Sequence, residues 1–99
     1  MLTAKDFEKL NFWEDTTPEE NITVYGMDFA DAYIFITDDN GTTPVEPKKP
    51  LIVAAYDEAN SFLWFNELPN FAALEKLCEG KKAESQELFE ALRTYVKPQ

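Results

Sequence analysis

The hydrophobic positions of this chain change period along its length, from helical to strand-like and back to helical. Leu2, Phe7 and Leu10 open it. Thr3 followed three residues later by Asp6 is a capping-box pattern, and Leu2 and Phe7 hold the two positions of a hydrophobic staple. The pattern predicts a first helix from Ala4 to about Phe12, with Trp13 at its end. Thr17-Pro18-Glu19-Glu20 is a second start signal: a capping Thr, a Pro at the first helical position, and two acids at the positive end of the dipole. The residues after it leave room for one turn only.

From Ile22 the chain reads as strands. Ile22–Phe29 is rich in β-branched and aromatic residues, with Gly26 a candidate bulge. Ala30-Asp31 is a reversal, Tyr33–Thr37 a strand, and Asp38-Asp39-Asn40-Gly41 the turn that ends it. Thr42–Pro50, with three prolines, reads as an irregular exposed loop. Leu51–Tyr56 and Ser61–Phe65 flank the short polar turn Asp57–Asn60 and should pair as an antiparallel hairpin. Asn70 then caps a helix over Phe71–Glu79, with the stripe Phe71, Leu74, Leu77 and Cys78, and Gly80 ends it. A last helix starts near Ala83 or Ser85, carries Leu88, Phe89, Leu92, Tyr95 and Val96 at helical spacing, and stops at Pro98. The expected fold class is α+β: an N-terminal helix, an antiparallel sheet of about four strands and two C-terminal helices, in one domain over residues 1–99.

The strands lack the apolar-polar alternation of a sheet with one wet face. Ile34 and Ile36 oppose Tyr33 and Phe35. Leu51, Val53 and Ala55 oppose Ile52, Ala54 and Tyr56. Phe62 and Trp64 oppose Leu63 and Phe65. Both faces need cover. Either the first helix covers one face and the last two the other, or one face meets a partner, a second copy of the chain included. Trp13, Tyr33, Tyr56 and Trp64 are the candidate contact aromatics, because Trp and Tyr are enriched at the energetic centres of interfaces.

Charge sharpens the second alternative. The formal net charge is -10, and residues 1–47 hold eleven acids against two lysines. No base occurs from Leu10 to Pro47, a stretch that carries Glu14, Asp15, Glu19, Glu20, Asp28, Asp31, Asp38, Asp39 and Glu46. Direct binding to nucleic acid or to an anionic membrane needs Lys and Arg, so neither is expected. A carboxylate-lined protein instead suits a basic, nucleic-acid-binding protein as partner, if its acids align as a mimic of nucleic acid. The competing reading is that these acids only keep the chain soluble.

The chemistry of a catalyst is missing. There is no histidine, hence no Ser-His or Cys-His pair, and the commonest metal ligand is absent. Three glycines cannot build a dinucleotide or phosphate loop. Asp38-Asp39-Asn40-Gly41 resembles the middle of a calcium loop, but the first and twelfth loop positions would be Ile36 and Pro47, which cannot ligate. Carboxylate pairs such as Asp28 with Asp31, or Asp57 with Glu58, arise by chance among nineteen acids. No cofactor, metal or catalytic residue is expected. Cys78, on an apolar stripe, is expected to be buried and inert. A lone cysteine, the lack of a leader-like N-terminus and the absence of any apolar run near the roughly 20 residues that span a bilayer suit a cytoplasmic protein. The expectation is a small acidic protein-binding module, an inhibitor or regulator. A structural domain that self-associates through its sheet, such as a homodimer, is the alternative, and a carboxylate-dependent enzyme comes third.

Overall fold

The computed structural model describes residues 1–17 and 21–98. Its elements are α1 (Ala4–Glu8), β1 (Trp13–Thr17), β2 (Ile22–Asp28), β3 (Ala32–Asp38), β4 (Leu51–Asp57), β5 (Phe62–Leu68), α2 (Phe71–Cys78) and α3 (Gln86–Thr94). The strands form one antiparallel sheet in the order β1-β2-β3-β4-β5, and the helices flank it in sequence, an α+β arrangement. The sheet has five strands rather than about four.

The additional strand is β1, hidden in the sequence because Trp-Glu-Asp-Thr-Thr has no apolar period. It exists because α1 stops early, at Glu8 instead of near Phe12. Asn11 takes φ 71° and closes a Schellman-type cap, in which its N–H donates to the Glu8 carbonyl at 2.9 Å and the Phe12 N–H to the Phe7 carbonyl at 3.0 Å. The reversal drops Phe12 into the core and sends Trp13–Thr17 alongside β2. Thr17, expected to cap a helical turn, is the last residue of that strand. Pro18, Glu19 and Glu20, the rest of that expected turn, lie outside the described residues. At the start of α1 the capping signal works as read: the Thr3 N–H donates to the Asp6 carboxylate at 2.8 Å.

Two turns share one architecture. Asp38 Oδ1 accepts from the N–H groups of Asn40 and Thr42, and Asp57 Oδ1 from those of Ala59 and Ser61, all within 2.8–2.9 Å. Gly41 and Asn60 supply the positive φ, 76° and 65°, that the chain needs to turn back. After the second turn β5 pairs at once with β4. After the first, the chain leaves the sheet as the loop that its prolines require. This loop is largely exposed yet anchored: Pro44 is fully buried, the Thr43 hydroxyl donates to the Thr23 carbonyl at 2.7 Å, and Val45 and Pro47 accept from the N–H groups of Leu2 and Phe71.

All three helices pack on one face of the sheet. Register and pleat put Tyr25, Met27, Ile34, Ile36, Leu51, Val53, Ala55 and Leu68 on that face, where they form the core with Phe7, Phe71, Leu74, Leu88, Phe89 and Leu92. Phe7 stacks on Tyr25 with ring centroids 4.0 Å apart, and Phe89 meets Phe29 and Trp64 edge-on at 4.9 and 5.4 Å. The two C-terminal helices begin where their caps predict. Asn70 accepts from the Ala73 N–H and Ser85 from that of Leu88. The side-chain amide of Asn66 then donates to the Leu92 and Tyr95 carbonyls and satisfies the end of α3. Because α3 ends at Thr94, Val96 falls outside the helical stripe and is 79% exposed. Among the described residues, no helix is long and apolar enough to cross a membrane.

Gly26 is not a bulge. It pairs in register with Trp13 on one side and Phe35 on the other. Its missing side chain makes room instead: a Cβ there would lie 2.4 Å from Trp13 Cη2 and 2.8 Å from the Ile34 carbonyl oxygen. The indole lies across the bare backbone of β2. Gly26→Ala should therefore destabilise the fold by about 1–3 kcal/mol through overpacking, read as the midpoint of urea unfolding; an unchanged midpoint would show that Trp13 does not lie over Gly26. Phe89→Ala, which empties the contact between α3 and the sheet, should cost about 3–5 kcal/mol in the same measurement. A loss below about 1 kcal/mol would contradict the packing of α3.

Candidate functional site

The face opposite the helices carries the side chains that the pleat turns away from the core. These are Trp13 and Asp15 on β1, Ile22, Val24 and Asp28 on β2, Tyr33, Phe35 and Thr37 on β3, Ile52, Ala54 and Tyr56 on β4, and Phe62, Phe65 and Glu67 on β5. Among the described residues no helix covers it.

Six rings cross this face in an unbroken series. Trp13 meets Phe35 edge-on at 5.7 Å, and Phe35 meets Tyr33 at 5.3 Å. Tyr33 stacks on Tyr56 at 5.4 Å, Tyr56 meets Phe62 at 6.0 Å, and Phe62 meets Phe65 at 6.4 Å. These spacings are those of favourable offset or edge-to-face pairs, so the series is held by its own contacts as well as by the sheet. The Tyr33 hydroxyl donates to Asn60 Oδ1 at 2.7 Å, which fixes the ring against the β4–β5 turn. Partial desolvation, with Tyr56 and Asp57 beside it, pushes the Tyr33 phenol above its ordinary pKa. Trp13 Nε1 is buried without a hydrogen-bond partner among the described residues, so the indole is held by packing alone.

The exposed end of the series is β5. Phe62 is 57% exposed and Phe65 66%. Strict alternation would set Phe62 beside Trp64, on the face away from Phe65. A register shift prevents this: Ala55 pairs with Trp64 while the next residue, Tyr56, pairs with Phe62, leaving Leu63 as the extra residue of a bulge. The bulge brings Phe62 and Phe65 onto one face. It also separates the four expected contact aromatics. Trp13, Tyr33 and Tyr56 lie on the open face, whereas Trp64 points to the helices and packs on Phe89. Phe35, Phe62 and Phe65 complete the series. Phe35 shares its face with Tyr33 by simple parity, although it was not among the expected contact aromatics; Phe65, opposite Trp64 in the strand, belongs to the open face because Trp64 does not, and Phe62 joins it only through the bulge, which carries no signal in Ser-Phe-Leu-Trp-Phe.

The acidic candidates do not form one row. Asp28 and Asp31 stand at the β2–β3 end of the sheet, and Asp38 and Asp39 at the opposite end, separated by the length of β3, roughly 20 Å. Asp15 projects from the middle of β1 onto the open face, while Glu14 projects to the helical side beside Tyr25. Glu19 and Glu20 lie outside the described residues. Asp38 already serves the fold. Partial burial disfavours its charge, but the Thr42 hydroxyl, the N–H groups of Thr42 and Asn40, and Lys49 outweigh that and hold its pKa below the ordinary carboxylate value. The strands contain Glu14, Asp15, Asp28, Asp38, Asp57 and Glu67 but no Lys or Arg. Glu67 is paired with Lys97.

Within the open face lies a depression of about 270 Å³, lined by Ile22, Val24, Phe35, Thr37, Ala54 and Tyr56, with Gly41 at its end. It exists because Ala54, a small residue, sits between Phe35 and Phe65 in register. A larger apolar hollow of about 530 Å³ lies on the other side, between α2 and the C-terminal segment, and holds no cluster of ionisable groups. Cys78 is half-buried rather than fully buried; desolvation, partly opposed by Lys81, pushes its thiol up to about 11, so it is protonated at neutral pH. No three His, Cys, Asp or Glu side chains among the described residues converge on a metal position.

No protein-family model, no curated protein and no solved structure matches this chain.

Proposed function

We propose that the chain is a non-enzymatic protein-binding module that docks its open aromatic face on a basic protein, as an inhibitor or regulator of it. The observation that carries this reading is the one-sided placement of the helices, which leaves six contacting rings with no helix over them among the described residues. Exposed aromatic area of this kind marks an interaction surface more often than it serves stability. The strands bear only acidic charge, so a cationic partner complements the face and is steered to it. A second copy meets the opposite situation: stacking two such faces brings carboxylates toward carboxylates on chains that each carry -10. The same absence of Lys and Arg disfavours direct contact with nucleic acid. Full nucleic-acid mimicry calls for a continuous row of charge, and the described acids are scattered over the two ends of the sheet and both faces of β1. The rings therefore supply the contact area and the carboxylates the steering. A cytoplasmic setting suits the single half-buried thiol.

Site-specific photo-crosslinking tests the reading. A photoreactive phenylalanine analogue at Phe65 should capture one basic protein in the native host, and the same probe at Glu79, on the helical side, should not. The purified pair should dissociate as salt rises, and Phe62→Ser with Phe65→Ser should abolish binding while the domain stays folded. Equal capture from both positions, or a wild-type dimer in sedimentation that these substitutions dissolve, would contradict it.

A further inference from the structure

The hollow of about 530 Å³ between α2 and the C-terminal segment lies on the helical side, away from the aromatic face. Its origin is local. Ala72 and Ala73 stand one turn before Lys76 and Leu77 on α2, and their methyl groups leave the floor low. Because α3 ends at Thr94, Tyr95 and Pro98 belong to a non-helical segment and line the hollow from there. Along α2 it extends from Asn70 to Leu77, roughly 10 Å at the rise of a helix. The volume falls within the range of small-molecule sites, and the lining is mainly apolar, as in such sites.

The polar lining is of one kind. It consists of Asn70, Lys76 and Tyr95, with no Asp or Glu, although the chain carries nineteen acids. Asn70 already serves α2, its Oδ1 accepting from the Ala73 N–H at 2.9 Å. The other two are uncommitted: among the described residues Lys76 has no ion-pair partner and the Tyr95 hydroxyl no hydrogen-bond partner. Both donate hydrogen bonds, and one is a full positive charge. Glu75 and Glu79 lie on or beside α2 but do not line the hollow.

We propose that this hollow binds a small amphipathic carboxylate, an aliphatic acid of medium chain length, with its hydrocarbon over Ala72, Ala73, Leu77 and Pro98 and its carboxylate met by Lys76. The site is separate from the docking face and does not depend on it. A cationic amphiphile would bring like charge to Lys76. A neutral one would gain the apolar contact and nothing from the ammonium. The acid gains both, and at close range the lysine outweighs the distant carboxylates, which salt screens beyond about 8–10 Å.

NMR titrations of the full chain with octanoate and with octanol test the site. Octanoate should shift the amides of Ala72, Ala73, Lys76, Leu77 and Tyr95, and should bind about two- to fivefold tighter than octanol, the gain of one exposed ion pair. Lys76→Gln should make the two ligands equal. Ala73→Leu, a good helix former that fills the floor, should abolish the shifts from both at an unchanged urea midpoint. Ala72→Leu makes the same test from the neighbouring position if Ala73→Leu lowers that midpoint. Octanol binding as tightly as octanoate, shifts centred on Phe62 and Phe65 instead, or binding that survives both leucine substitutions would each overturn the site. The crosslink at Phe65 is indifferent to all of these outcomes, so the site and the docking face stand or fall separately.

Discussion

The pleat of β3 and β4 divides the central side chains into two kinds, and the rest of the molecule follows from that division. Ile34, Ile36, Val53 and Ala55 turn one way; Tyr33, Phe35, Ala54 and Tyr56 turn the other. The branched aliphatic face is fully buried and receives every helix: Phe7 from α1, Phe71 and Leu74 from α2, Leu88 and Leu92 from α3. The aromatic face covers itself only in part, by ring on ring. A single-residue slip of either strand would exchange the two surfaces and place rings under the helices, so register is fixed by the demand of the aliphatic side for cover.

That division explains how the fold tolerates its open side. Rings packed edge to face lose part of their exposure to one another, and Trp13, whose indole N–H meets no acceptor among the described residues, lies across Gly26. Free edges invite pairing with other chains, and proteins often blunt them with charge. Here β1 carries Glu14 and Asp15, and β5 carries a bulge at Leu63 and the Glu67–Lys97 pair. A net charge of -10 adds long-range repulsion between copies. The same carboxylates that hinder self-association draw a cationic surface, so solubility and recognition share one cause.

Much of the fold was legible in the sequence because local chemistry decided it. Asn70 and Ser85 cap where the pattern put them, Asp38 and Asp57 anchor the turns that they begin, and β3 and β4 stand within a residue of their expected bounds. What escaped depended on tertiary geometry. β1 has no apolar period and is a strand only because β2 lies beside it. The left-handed Asn11 that ends α1 looks like any polar residue. Both faces of the strands read as apolar, and no pattern could say that all three helices would choose the same one. At the site, Trp13, Tyr33 and Tyr56 came together as a surface, but Trp64 went to the core because one bulged residue reset the parity of β5. The acids were visible as a count and not as an arrangement, since their positions follow from which strand ends meet.

The account stands on the aromatic face being open to solvent in the free protein, and hydroxyl-radical footprinting read by mass spectrometry measures this ring by ring. Phe62 and Phe65 should be oxidised rapidly and Tyr56 at an intermediate rate, while Phe7 and Tyr25 on the helical side stay protected until the protein unfolds. Protection of Phe62 and Phe65 equal to that of Phe7, in a chain that sediments as a monomer, would mean that the face is covered from within and would contradict the account.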